Sequence, residues 1–375
     1  MKLGILCTMI NGFGRRGFYN SQEIGLGRAL VRKGCRVVVY KCLKRTKNAK
    51  RECIQAEPGL AVWYLPVPGL GAHGYLFPGV LEKDLDGLLC FGDNQVFLPH
   101  IYDFCRRNEI LFVPYIGTAH SLHGGLRGRV MDAWFRAGTL KIFRENPVIG
   151  KTEKAREELK ALGVSRITVA PVGLDGAVLK HDFAACDPGQ LRREFGFEPD
   201  DVVVLSVARL EQEKRPLDLI GMFMRIRHRK KFRLILVGEG PLGQEVAERI
   251  REWGIGKEAR IISRVPYEEM WKLYVMSDYF VNLNRGEIFG MAVMEAVYYK
   301  TSVAAVMAPG PALTLQGMEG HCLCRDDGQV EEWLTKEYPP EHSLAESSEK
   351  MIRDFSWEKC ADAFLALAEQ KRGEA

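Results

Sequence analysis

The sequence predicts an α/β chain of two Rossmann-like, doubly wound domains, and three observations carry that expectation. The chain has 375 residues, more than one hydrophobic core accommodates and suited to two domains of ordinary length. Short apolar runs alternate with helical patterns from the first residues onward, which is the signature of βαβ units. The alternation then breaks and restarts near residue 200.

Taken in order, Leu3 to Cys7 reads as a strand, Ser21 to Lys33 as a helix and Arg36 to Tyr40 as the next strand. Gly87 to Cys90, Leu111 to Tyr115 and Pro147 to Gly150 continue the strands; a charged helix, Thr152 to Leu162, leads to Ile167 to Val172. Gly59 to Leu81 is uncharged and long enough to span a bilayer, but Pro66, Pro68, Pro78 and its glycines break such a helix, so a strand and a long loop are expected. The segment Gly173 to Asp182 reads as a linker.

The restart comprises strands Val202 to Val207, Phe232 to Val237, Arg260 to Ile262, Tyr279 to Asn282 and Ser302 to Val306. Helices are expected at Leu217 to Arg227, Leu242 to Trp253, Tyr267 to Val275 and Met291 to Tyr299. The domains expected are 1–178, completed by a closing helix at 355–375, and 179–354. Doubly wound sheets place ligands at the carboxyl ends of their strands, so two such domains are expected to face a central cleft.

Composition sets the class of partner. Apolar residues make up 46% and charged residues 27%, as in a soluble folded chain. Met1 to Ile10 runs into a Gly-rich loop without a signal peptide's apolar stretch, so a cytoplasmic location is expected. Ten cysteines are scattered; Cys322 and Cys324 stand one residue apart, unlike a zinc-ribbon or redox pair, and all are read as reduced, mostly buried thiols.

Charge is uneven: residues 1–175 hold 26 basic and 15 acidic residues, a net of about +11, which leaves about −6 of the total +5 for the rest. The densest basic stretch is Lys41, Lys44, Arg45, Lys47, Lys50 and Arg51. A second, Arg127, Arg129, Arg136, Lys141 and Arg144, interleaves with Trp134, Phe135, Leu140 and Phe143. Such a surface attracts anionic headgroups or polyphosphate. No zinc-finger spacing or aromatic RNA-binding signature accompanies it, so nucleic acid is not the expected partner. Peripheral contact with the inner face of the plasma membrane is.

The strongest local signal is Gly286-Glu287-Ile288-Phe289-Gly290-Met291-Ala292-Val293-Met294-Glu295-Ala296. Two glutamates bracket seven residues across a loop and a helix start, whose amides are ready for an anion. Glu295 lies on the order of 10 Å from Glu287 along the helix, which suits the two ends of a nucleotide diphosphate sugar. A glycosidase pair requires carboxyls about 5 Å apart for retention or up to about 9.5 Å for inversion; the spacing argues against the first and strains the second. The alternative for Glu295 is a surface helix residue. A second constellation, Ser206 to Lys214, ends a strand with Arg209 and places Lys214 five positions on, two cations able to neutralise a diphosphate leaving group.

These motifs resemble glycosyltransferase family 4, retaining enzymes of the GT-B fold, over nearly the whole chain. Arg209 with Lys214 resembles that family's glycine-arginine-leucine stretch and downstream lysine, and Val237-Gly238-Glu239-Gly240-Pro241-Leu242 its next strand and turn. Arg264-Val265-Pro266-Tyr267-Glu268-Glu269-Met270 is similar to the loop that holds the base. Leu26 to Val37 resembles the first helix and second strand, Gly17 stands at the loop glycine, and His120 matches a histidine found near the transferred sugar. Pro171 to Asp175 and Phe355-Ser356-Trp357 resemble the domain closure and the returning helix.

The resemblance implies a retaining hexosyl transfer from a nucleotide diphosphate sugar, UDP-sugar favoured, to a saccharide or lipid-linked acceptor in cell-surface polysaccharide or glycolipid synthesis. It implies that Arg209 and Lys214 bind the diphosphate, Glu295 the ribose and Glu287 the donor sugar's hydroxyls. Main-chain groups of Ile288, Phe289 and Gly290 would assist, Val265 would sit by the base, Gly17 would approach the phosphates and His120 the sugar. No metal or other cofactor is expected, Asp84-Leu85-Asp86 being read as a loop feature.

The chain departs from the pattern at Leu283-Asn284, where proline-serine is usual, at Tyr298-Tyr299-Lys300 in place of alanine-cysteine-glycine, and at Ala308 to Pro311 in place of paired glycines. These alter the wall near the donor sugar. A nucleotide-sugar epimerase on the same fold and a catalytically silent nucleotide-sugar-binding subunit remain as alternatives.

Overall fold

A computed structural model describes residues 1–10, 21–92, 95–121 and 125–374 of the chain. The chain divides into two units. The first comprises the amino-terminal strand, Ser21–Asp175 and the chain from Phe355 onward; the second comprises Gly176–Asp354.

The strands of the first unit, in chain order, are β1 Lys2–Cys7, β2 Arg36–Lys44, β3 Glu52–Glu57, β4 Leu60–Val67, β5 Gly69–Leu70, β6 His73–Gly74, β7 Gly87–Phe91, β8 Leu111–Ile116, β9 Val148–Gly150 and β10 Ile167–Val169. Eight form one sheet in the order β10-β9-β8-β7-β1-β2-β4-β3, and β5 and β6 pair separately. Every pair in the large sheet is parallel except β3 with β4. The central runs Leu3–Cys7 and Gly87–Phe91 are buried throughout, as a sheet covered on both faces requires. The helix Trp357–Glu374 returns to this unit, where Trp357 is fully buried. Gly25 and Gly173 admit it: a Cβ on Gly25 would lie 2.5 Å from Trp357 Nε1, and one on Gly173 2.2 Å from the Trp357 backbone nitrogen.

The second unit holds β11 Val202–Val207, β12 Phe232–Val237, β13 Ala259–Ile262, β14 Tyr279–Asn282, β15 Ser302–Val306 and β16 Cys322–Cys324. They pair in parallel in the order β13-β12-β11-β14-β15-β16. Strand order reverses at β11, between β12 and β14, so the loops after β11 and β14 leave the switch point where doubly wound sheets bind ligands. Among the described residues, no helix is long and apolar enough to cross a membrane.

The structure alters three readings. Gly59 to Leu81 holds the strand β4 and two short strands, and β3, unforeseen, pairs antiparallel with β4. Lys41 does not belong to the basic surface: its side chain is 3% exposed and paired with Glu23, which is 1% exposed, because it occupies an inward position of β2. Burial pulls the Lys41 ammonium down to about 8 and pushes the Glu23 carboxyl up to about 6. Of the aromatic and apolar residues interleaved with the second basic stretch, Phe135, Leu140 and Phe143 are core, and Trp134 alone is exposed.

Candidate functional site

The site residues of the second unit are assembled by close backbone approaches that require glycine. A Cβ on Gly238, whose φ is +146°, would stand 1.9 Å from the Ala208 carbonyl oxygen; one on Gly240 would stand 2.3 Å from that of Leu210. The loop after β12 is thereby laid on Ala208–Leu210, where Leu210 N–H donates to Glu239 O and Leu242 N–H to Leu210 O. Arg209 projects from this strip, half exposed, and pairs with Glu211 at 2.6 Å. Arg264 pairs with Glu239 at 2.6 Å, which ties the loop carrying half-buried Val265 to the same corner.

Lys214 ends a short 3-10 turn, and Arg215 after it adopts φ +55°, a left-handed conformation. Arg215 is held in that strained geometry by a bidentate pair with Asp327, at 2.9 and 2.6 Å, and by Asp218 at 2.7 Å. The turn aims Lys214 at Glu287: Nζ donates to Oε2 at 2.8 Å. Asn284 Nδ2 donates to the same oxygen at 3.1 Å, while its Oδ1 accepts from Gly286 N–H at 3.0 Å. Burial pushes the Glu287 carboxyl upward, but the Lys214 charge and these hydrogen bonds outweigh it and hold the group below the usual carboxylate range.

Gly290, at φ +84°, caps the helix Met291–Tyr298. The first-turn amides of such a helix lack intrahelical acceptors and face the positive end of its dipole. Half-buried Ile288 and buried Phe289 lie between Glu287 and this cap. Gly310 packs on Phe289, where a Cβ would lie 2.5 Å from the carbonyl carbon, and its N–H donates to Glu287 O at 2.8 Å. The departure at Ala308 to Pro311 therefore still supplies a glycine at the point of closest approach.

Glu295 is 5% exposed, which removes its reading as a surface helix residue. Its Oε1 accepts from Tyr267 OH at 2.9 Å and its Oε2 from Tyr274 OH at 2.8 Å. Tyr274 is fully buried and stacks on Tyr299, with centroids 5.6 Å apart. The Tyr298-Tyr299-Lys300 departure thus builds an aromatic support under Glu295, and Lys300 takes the left-handed position, φ +61°, that a glycine would fill.

Lys214 and Glu287 are brought together, with Phe289, Gly290 and Glu295 on the segment that follows. His120 belongs to the first unit; it is exposed after β8, with its N–H and carbonyl both bonded to Thr118 Oγ1 at 3.2 Å. Gly17 lies outside the described residues. Asp84 and Asp86 hold Lys2, through Nζ at 2.8 Å and through its N–H at 2.7 Å. Sequence reasoning missed Tyr267, Tyr274 and Asn284 as partners of the glutamates. Only Asn284 carried a signal, as a polar side chain in place of a serine.

Residues 189–351 match the family model described as Glycosyl transferases group 1. D-inositol 3-phosphate glycosyltransferase of Actinosynnema mirum is 22% identical over 96% of this chain and 94% of its own length. The relative of that name from Catenulispora acidiphila is 24% identical over 94% and 90%. Sucrose-phosphate synthase of Thermosynechococcus elongatus superposes with a TM-score of 0.75 over the whole of both chains, at 16% identity. The Anabaena protein HepE in complex with UDP and glucose gives 0.66 over 100% of this chain and 99% of its own, at 15% identity. The fold is GT-B, with two Rossmann-like α/β domains. The family-model match and the curated relatives together support a glycosyltransferase.

Proposed function

We propose that the chain is a retaining glycosyltransferase that moves a hexose from a nucleotide diphosphate sugar, preferentially a UDP-sugar, to an acceptor presented at an anionic lipid surface. The observation that carries the transfer reading is the Lys214–Glu287 pair at 2.8 Å, one turn before the amino end of the helix that bears buried Glu295.

In this reading the donor's diphosphate replaces Glu287 as the partner of Lys214, and Arg209 and the first-turn amides share its charge. Glu287, released, accepts hydroxyls of the sugar. The ribose takes Glu295 Oε1 from Tyr267, while Tyr274 keeps Oε2 fixed. As the bond to the leaving phosphate stretches, negative charge grows where Lys214, Arg209 and the helix end already point, and the stabilisation needs no reorganisation. The leaving phosphate oxygen takes the acceptor's proton as the acceptor attacks the same face; His120 and Gly17 are assigned to the sugar and phosphate approach on the resemblance alone. No metal is assigned to the reaction.

The lipid-surface part rests on the helix Gly125–Trp134, where Leu126, Val130 and Trp134 are 79%, 59% and 50% exposed. Their i, i+4, i+8 spacing places them in one stripe. Exposed Arg129 and Arg136 flank it, and the Lys141 side chain is 82% exposed. An apolar stripe bordered by cations is the design of a helix lying in a headgroup region. The transfer reading is tested by incubating the protein with UDP-, GDP- and ADP-hexoses and a lipid extract, in chelator. Sugar incorporation with retained anomeric configuration supports it; isomerised donor without acceptor, or strict dependence on added metal, contradicts it.

A further inference from the structure

The pair Cys322 and Cys324, whose spacing resembles no redox motif, is brought together by the fold. Residues two apart on a strand share a face, and in β16 both thiols turn toward the helix Asp327–Thr335, where Cys324 is fully buried and Cys322 half-buried. Their sulfurs stand 3.2 Å apart, with the Cys324 thiol donating to Cys322.

The strand around them can yield. β16 is three residues long and lies at the sheet edge, paired with β15 at Ala304, Ala305 and Val306, and its Cys324 carbonyl also accepts the Met307 N–H at 2.7 Å. Among the described residues its outer side carries no ladder, so the two side chains can draw together without breaking pairing on that side. The Cys324 hydrogen bond, with help from the nearby Lys336 charge, pulls the Cys322 thiol down to about 7, while the same contact and burial raise Cys324. The accessible sulfur is therefore the nucleophile and the buried one its resolving partner.

We propose that Cys322 and Cys324 form a reversible dithiol–disulfide site that reacts with low-molecular-weight disulfides. The Cys322 thiolate attacks one sulfur of the disulfide, forms a mixed disulfide and expels one thiolate. Cys324 then gives up its proton, attacks the Cys322 sulfur and expels the second thiolate. The two protein thiols are oxidised, the small disulfide is reduced to two thiols, and the protons from Cys322 and Cys324 end on those products.

The position joins this chemistry to the candidate site. β16 runs directly into Arg325 and Asp326, the latter capping the next helix through Gln329 N–H at 3.0 Å, and then into Asp327, which holds Arg215 beside Lys214. That link to donor binding rests on the proposed function; the thiol chemistry does not.

The experiment treats the full-length protein with oxidised glutathione, blocks remaining thiols with N-ethylmaleimide and follows the tryptic peptide Thr301–Arg325, which contains both cysteines and no third. The expected product is a peptide lighter by two hydrogens, free of maleimide and glutathione, and restored by dithiothreitol. In Cys322→Ser the peptide should take one maleimide and no glutathione; in Cys324→Ala it should retain a glutathione on residue 322. A wild-type peptide that carries two maleimides, or a stable glutathione adduct without the internal disulfide, overturns the proposal. Cys322→Ser replaces a half-exposed side chain, so it reports even where the Cys324 variant folds poorly.

Discussion

Lys214 Nζ donates to Glu287 Oε2 at 2.8 Å, joining a turn after the first strand of the second unit to a loop 73 residues further along the chain. In the proposed function the pair holds until a more anionic ligand displaces Glu287 from Lys214. A diphosphate outbids a single carboxylate for the ammonium, since it brings more charge and more acceptor oxygens.

In the proposed transfer, Lys214→Ala removes a cation from the growing charge on the leaving phosphate. Turnover should fall by the equivalent of about 2 to 4 kcal/mol, measured as kcat under saturating donor. Glu287→Gln keeps the side chain's shape and removes the pairing charge; it should lower kcat while leaving nucleotide affinity equal or higher. Weakened nucleotide binding in Glu287→Gln would contradict the release of Lys214 from Glu287 on donor binding.

Gly238→Ala tests how Arg209 is positioned. The new Cβ would lie 1.9 Å from Ala208 O at a φ of +146°, so either the loop moves or the unit unfolds. A stability loss of at least about 2 kcal/mol is expected in urea titration. Gly243→Ala starts a helix, and its Cβ meets only Leu210 Cδ1 at 3.6 Å; it should be neutral or slightly stabilising.

His321 provides a pH signature. It accepts the Val303 N–H through Nδ1 at 3.0 Å, and its buried Nε2 has no partner among the described residues; burial pulls its pKa down to about 3. Between that value and the ordinary value of about 6.5 the unfolded chain binds a proton that the folded one refuses, so stability rises with pH across this window. The contribution is complete above the unfolded value and is lost as pH falls. His321→Asn keeps an acceptor without the titration, so from pH 7 to pH 5 the wild type should lose about 1 to 2 kcal/mol more than the variant.

The parallel βαβ architecture was legible because buried strands in such sheets read as unbroken apolar runs: Val202–Val207, Phe232–Val237, Tyr279–Asn282 and Ser302–Val306 coincide with the expected bounds. β3 was not, since Glu52–Glu57 is a mostly exposed edge strand without an apolar run. Its existence depends on β4 offering a free edge. The two glutamates and two cations were legible as motifs, whereas their partners were not. Tyr274 reads as an ordinary core position of its helix, and only the tertiary fold reveals its hydroxyl on Glu295, 21 residues away. Lys41 misled for the same reason: its partner Glu23 lies on a different element.

Membrane contact is tested by sedimentation with vesicles of phosphatidylcholine alone or mixed with phosphatidylglycerol. Wild type should pellet with the anionic vesicles at low salt and be released as salt rises. Replacing Leu126, Val130 and Trp134 together by Ser should abolish pelleting without lowering thermal stability. Equal pelleting of wild type and variant would place the lipid contact elsewhere, and concentration-dependent self-association without vesicle binding would make the stripe an interface between copies.

The most direct test of the central claim is a thermal-shift titration of the wild type, Lys214→Ala and Glu295→Ala with UDP, GDP and ADP. Binding to the native state raises apparent stability by about 2.7 kcal/mol at a hundredfold excess over Kd. A saturable rise in Tm is expected, with UDP above the other two, that is lost in both variants. No rise with any of the three nucleotides, or a rise that both variants retain in full, would contradict it.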